Sequence, residues 1–178
     1  LKEIYRITGK IADFMVRFLK SKREIRRDGY RNQRHEWEDI NMSVVKELIR
    51  TEENGKISFG NYELAQKSKL SDFEYDGDMY KVKTYKDITK LERNGMFVYE
   101  SVPGTTVLDL EAEENGMSFV VEGPKDAQIT VELEEDTQYK IQIDGVDAGE
   151  MKTNLGGKLS FSVELEQAEQ VSVHIEKL

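Results

Sequence analysis

Asp72, Glu74, Asp76 and Asp78 stand at alternate positions, with Gly77 inside the run. A loop starting at Asp72 has its glycine at the sixth position, as a twelve-residue EF-hand calcium loop requires. The twelfth position should be a bidentate glutamate, and it is Lys83. The residues after Asp78 also alternate as a strand does, so an acidic hairpin loop is the leading reading. The four carboxylates stay as the candidate metal ligands. Tyr62, Tyr80, Tyr85 and Tyr99, with Tyr75 among them, form a second candidate set. Tyrosine joins a large contact area to a polar tip, which suits a sugar or protein ligand. The competing reading makes them cross-strand pairs at the edge of a core. His174 lies on a polar strand face and His35 in a polar stretch, so neither a triad nor a histidine metal site is expected. The absence of cysteine excludes disulfides, cysteine nucleophiles and cysteine-ligated clusters. No phosphate-binding glycine loop is present, and no cofactor is expected.

Two segments with opposite charge must position these residues. Residues 1–41 hold 11 Lys and Arg against 7 Asp and Glu, a charge of +4. Residues 42–178 hold 15 against 28, a charge of −13. The basic face gathers Arg17, Lys20, Arg23, Arg26 and Arg27. Ile4, Ile7, Ile11, Phe14, Phe18 and Ile25 recur at intervals of three and four, with Ser21 at one seam position. That pattern predicts an amphipathic helix over about residues 2–27. A helix with so much apolar surface needs a partner: the β body, another helix or a membrane surface. An acidic body repels nucleic acid, so no nucleic acid is expected to bind it. Residues 28–41, with Trp37, read as a linker. Met42-Ser43 reads as an ordinary start, and Glu36–Asp39 can be encoded by a purine-rich run. An alternative therefore makes residues 1–41 an upstream in-frame extension, against which the clean helical periodicity argues.

From Val44 the period changes to two. Strands are expected at Val44–Arg50, Lys56–Glu63, Met79–Tyr85, Met96–Ser101, Thr106–Glu111, Met117–Glu122, Gln128–Glu134, Gln138–Asp144, Lys158–Leu165 and Gln170–Glu176. Asn54-Gly55, Asp76-Gly77, Asn94-Gly95, Asn115-Gly116 and Asp144-Gly145 separate such runs. These dipeptides supply the positive φ angles of type I′ hairpin turns. The expected fold is mainly β: an antiparallel β-sandwich or partly open barrel of about ten strands, preceded by the N-terminal amphipathic α-helix. An alternative divides residues 42–178 into two small β units joined near residues 102–104.

The run "YKIQIDGVDAG…TNLGGKLSFSVEL" is similar to the small β-sandwich modules at the ends of carbohydrate-active enzymes. "MSVVKELIRTEENGKISFGNYEL", "YKVKTYKDITKLERNGMFVYESVPGT" and "VEGPKDAQITVELEEDTQYKIQIDG" resemble a family of small uncharacterised proteins of anaerobic gut bacteria. Members of that family sometimes carry the label endosialidase, and the resemblance spans about residues 42–178. It carries over no catalytic residue. A sialidase holds its substrate carboxylate with an arginine cluster. Residues 42–178 contain only Arg50 and Arg93, so sialidase activity is not expected. With 28 acidic residues in that segment, carboxylate pairs are not diagnostic of glycoside hydrolysis.

No run reaches the ~18 apolar residues of a membrane span, and no uninterrupted apolar stretch of a secretory signal is found. The expectation is a cytoplasmic, non-enzymatic β protein acting through self-association or macromolecular binding. The alternative is a carbohydrate-binding or carbohydrate-processing accessory domain, with a glycan as partner. An enzyme of another type would need a deep pocket lined by carboxylates of raised pKa.

Overall fold

The computed structural model describes residues 44–178. The helix expected over about residues 2–27, its basic face and His35 lie outside the described residues. Thirteen strands follow one another: β1 (Ile49–Thr51), β2 (Ile57–Phe59), β3 (Ser68–Tyr75), β4 (Asp78–Tyr85), β5 (Ile88–Arg93), β6 (Met96–Val102), β7 (Thr106–Glu113), β8 (Gly116–Glu122), β9 (Ala127–Glu132), β10 (Gln138–Ile143), β11 (Val146–Lys152), β12 (Lys158–Val163) and β13 (Val171–Lys177). They form two antiparallel sheets. Sheet A has seven strands in the order β1-β2-β7-β8-β13-β10-β11, and sheet B has six in the order β12-β9-β6-β5-β4-β3. Among the described residues there is no helix. The arrangement is sandwich-like, as the alternation of apolar and polar residues demands.

One apolar core lies between the sheets. Sheet B supplies Val82, Leu91, Tyr99, Ile129, Val131 and Leu159; sheet A supplies Ile57, Val107, Val121, Ile141 and Ile175. Burying each such side chain contributes roughly 1.5–3 kcal/mol. The Tyr99 ring stands edge-on between Phe59 and Phe119, with centroids 5.4 and 5.7 Å away. This geometry suits the ring quadrupoles and joins a strand of sheet B to two of sheet A.

A fully buried hydroxyl network lies beside that trio. Thr105 Oγ1 shares hydrogen bonds with Tyr99 OH (2.9 Å) and Ser101 Oγ (2.8 Å). Thr89 Oγ1 donates to Thr105 O (2.6 Å) and lies 2.8 Å from Thr84 Oγ1, which accepts from Asn61 N. Burial pushes the Tyr99 phenol far above its ordinary pKa, against the lowering pull of the Thr105 and Ser101 hydroxyls. The network ties β4, β5 and β6 to the segment Pro103–Thr105, where the chain crosses from sheet B to sheet A. Gly104 allows the crossing, because a Cβ there would overlap the Tyr85 carbonyl oxygen. Each sheet draws strands from both sides of residues 102–104. That segment is thus a crossover between sheets, not a joint between two separate β units.

Ten expected strands are present in some form, with altered ends. Val44–Arg50 is mostly not strand: only Ile49–Thr51 pairs, because Leu48 turns the chain with φ of 72° while Val44 and Val45 are buried. β3, β5 and β11 are additional. Three of the five expected turns have positive φ at both central residues: Asp76-Gly77, Asn94-Gly95 and Asp144-Gly145. Asn54-Gly55 does not, since only Gly55 is positive, and the β7–β8 turn uses Glu114-Asn115. Gly116 instead opens β8, where a Cβ would overlap the Ile175 carbonyl oxygen of β13. Its role is close backbone approach.

Candidate functional site

The hairpin turns between β5 and β6 and between β7 and β8 border one open cleft. Asn94 fixes the first turn: its Oδ1 accepts from Met79 N (2.9 Å) and its Nδ2 donates to Asp78 Oδ1 (2.6 Å). This sets Arg93 beside the carboxylate of Asp78, with Nε 3.9 Å from Oδ2. Arg93 also neighbours Tyr80, whose phenol is raised by burial against the lowering pull of the guanidinium. Tyr80 meets Tyr75 edge-on at 5.8 Å, and Tyr75 OH donates to Gly55 O (2.6 Å).

The cleft measures about 410 Å³ and is lined by Tyr80, Arg93, Met96, Phe97, Val98 and Leu110 together with Glu113, Glu114, Glu132, Glu134, Met117 and Tyr139. Its floor is apolar because Leu110, Met117, Val98 and Tyr139 are core residues. Its rim is acidic. Glu134 is paired with Lys177, and its backbone N donates to Tyr139 OH (3.2 Å). Two smaller hollows continue the cleft. One of about 260 Å³ shares Tyr80, Arg93 and Glu113 and reaches Asn54, Lys56 and Asp76. The other, about 290 Å³, shares Glu113 and Met117 and reaches His174 and Glu176. Lys56 bonds Glu111 at 2.6 Å, which holds its ammonium above the ordinary value. The result is an elongated groove rather than an enclosed chamber. It can take an extended chain, with one guanidinium and several carboxylates for polar contacts.

Of the candidate tyrosines only Tyr75 and Tyr80 are brought together. Tyr99 is fully buried, with its hydroxyl bonded to Thr105, so it presents nothing to a ligand. Tyr80, 7% exposed, lines the cleft, and Tyr75 joins it in the hollow that continues the groove. Tyr62 and Tyr85 are half-buried and lie outside the groove lining. Asp72, Glu74, Asp76 and Asp78 fall on a hairpin. Asp72 occupies a bulge of β3 with φ of 61°, Glu74 faces Met79, Asp76 is in the turn and Asp78 begins β4. An EF-hand would need a helix after this loop, and a strand follows. Among the described residues, no group of three or more His, Asp or Glu is arranged to hold a metal. His174 is exposed on β13 opposite Ser118 and Gln142. Nothing in the residue pattern singles out Phe97, Met96 or the glutamates as a site. Its one usable signal was Asn94-Gly95, which sets Arg93 at a hairpin end.

Protein-family models, curated proteins and solved structures contain no match to this chain.

Proposed function

We propose that this is a non-enzymatic β protein that acts by binding another macromolecule, a neighbouring copy included. The continuous groove at one end of the sandwich carries this reading: it is long, open and apolar in its floor. Its carboxylate rim favours a partner with a basic extended segment. Residues 17–34 of this chain have the complementary charge, so self-association through the basic segment is the form the charges favour. Light scattering on the full chain and on a version starting at Met42 tests this. A salt-sensitive assembly of the full chain into more copies than the shorter one supports the reading. Equal masses at low salt, with no change on Glu113→Gln plus Glu114→Gln, refute it.

A carbohydrate ligand is the second reading, favoured by the aromatic Phe97 and Tyr80 beside the polar groups of the groove. It agrees with the resemblance to proteins labelled endosialidase, without catalysis. Retention on immobilised glycans that is lost in Arg93→Ala would favour it over the first.

A further inference from the structure

The two sheets end in four edge strands, and three are blunted against pairing. β1 has three residues. β3 is bulged between Leu70 and Phe73 and carries exposed Lys69, Asp72 and Glu74. β11 is paired through a register shift and carries Gly149 with exposed Asp147, Glu150 and Lys152. Bulges, brevity and charge are the usual protections of an edge. Among the described residues β12 has neither a bulge nor such brevity, and its one charge is Lys158 at its first position. Its six residues keep one unbroken register with β9, and no charge or proline lies between Lys158 and Glu164.

The backbone of β12 has a definite outward side. Leu133 N donates to Gly157 O (2.8 Å), so odd-numbered residues bond to β9 and even-numbered ones turn away. Lys158 confirms this, since its N and O are both taken by Asn154 (3.0 Å each). Among the described residues, no strand pairs with the outward amide and carbonyl groups of Ser160 and Ser162. The outer-face side chains Lys158, Ser160, Ser162 and Glu164 are exposed, while Leu159, Phe161 and Val163 face the core.

We infer that β12 pairs antiparallel with β12 of a second copy, about a two-fold axis at Phe161. The occupant is argued from self-complementarity. In that register Ser160 meets Ser162 of the other copy, which completes four backbone hydrogen bonds. Leu159 falls opposite Val163 on the inner face, and the backbone pairing ends there, because Asn154 already holds the outward N and O of Lys158; beyond it only the outer-face side chains of Lys158 and Glu164 approach each other, twice by symmetry. The Lys158 ammonium now lies 4.5 Å from the centroid of the Phe97 ring on that outer face. Its flexible stem swings to meet Glu164 when the second copy docks. Two sheets B join into one of twelve strands. The inference rests on the edge of β12 and not on the groove.

Light scattering of the full chain across concentration is the test. The expected mass is twice the 20.6 kDa of one chain. Ser162→Pro removes an outward N–H at a position where an edge strand tolerates proline, and it returns the mass to one chain. Lys158→Glu sets like charges opposite each other twice and weakens the dimer at least tenfold. Lys158→Glu with Glu164→Lys restores it. Oligomer loss on removing residues 1–41, with Ser162→Pro unchanged in mass, belongs to the groove reading and overturns this one. A monomeric wild type overturns it too, leaving the edge to a foreign strand.

Discussion

Replacing Thr105 by valine keeps the shape of the side chain and removes the hydroxyl that two buried groups share. Tyr99 OH at 2.9 Å and Ser101 Oγ at 2.8 Å both lose their partner. The backbone bonds from Thr105 to Thr89 are untouched, so the loss belongs to the hydroxyl. Each hydrogen bond contributes about 1 kcal/mol, and a stranded buried hydroxyl raises the cost. Tyr99 and Ser101 are fully buried, so water does not compensate. The expected destabilisation is about 2–4 kcal/mol. With a urea m-value of about 2 kcal/mol/M, the unfolding midpoint falls by about 1–2 M at unchanged m. Thr105→Ser keeps the hydroxyl, loses a methyl group and costs about 1 kcal/mol. Tyr99→Phe combined with Thr105→Val measures the coupling, expected at about 1 kcal/mol. If Thr105→Val stays within 0.5 kcal/mol of wild type while Thr105→Ser costs more, the methyl group matters and the network does not.

Gly104→Ala is expected to cost at least about 3 kcal/mol, because its Cβ overlaps the Tyr85 carbonyl. Gly95→Ala has open space and pays only for its φ of +80°, about 1 kcal/mol; thermal unfolding that reverses this order refutes the packing argument. Glu122 is 3% exposed, its Oε1 accepts from Gln170 (2.5 Å) and its Oε2 has no partner among the described residues. Burial raises its pKa, Gln170 partly offsets this and Glu169 adds to it. The folded state therefore holds a proton that the unfolded chain has lost, and stability falls as pH rises from about 4.5 toward the raised folded value. Glu122→Gln removes this slope, so its stability gains on wild type from pH 4 to pH 7, and a constant difference in denaturant titrations contradicts the account. Met151→Ser, in a strand with all seven residues exposed, changes stability by less than about 0.5 kcal/mol; a larger loss in the same titration would place β11 in the core.

The strands that sequence made legible are those with a buried face in strict alternation, such as Leu159, Phe161 and Val163. The three it missed failed for separate reasons. β11 buries no residue, so it has no pattern to find. The bulge in β3 breaks the period between Leu70 and Phe73. In β5 the buried set includes Thr89, which faces a polar network and so disguises the alternation. The site was less legible than the fold. Tyr99 and Tyr80 have the same side chain, and only the stacking of two sheets separates a core tyrosine from one at a groove. Arg93 stood out in sequence only through the scarcity of arginine. Its position over the apolar floor depends on pairing across sheets, which no local pattern encodes.

The place of β13 in sheet A bears on biosynthesis. Residues 171–177 lie between β8 and β10, in the interior of the seven-stranded sheet. A nascent chain carries β7, β8 and β10 before the strand that joins them exists. Until those residues leave the ribosome, the flanks of β8 and β10 are open edges, and the apolar positions to be covered by Val171, Val173 and Ile175 are wet. Hairpins can form as they emerge, but sheet A closes only after synthesis passes residue 177. Loss of residues 171–178 would therefore leave a chain with two unsatisfied inner edges, a target for chaperones and proteases.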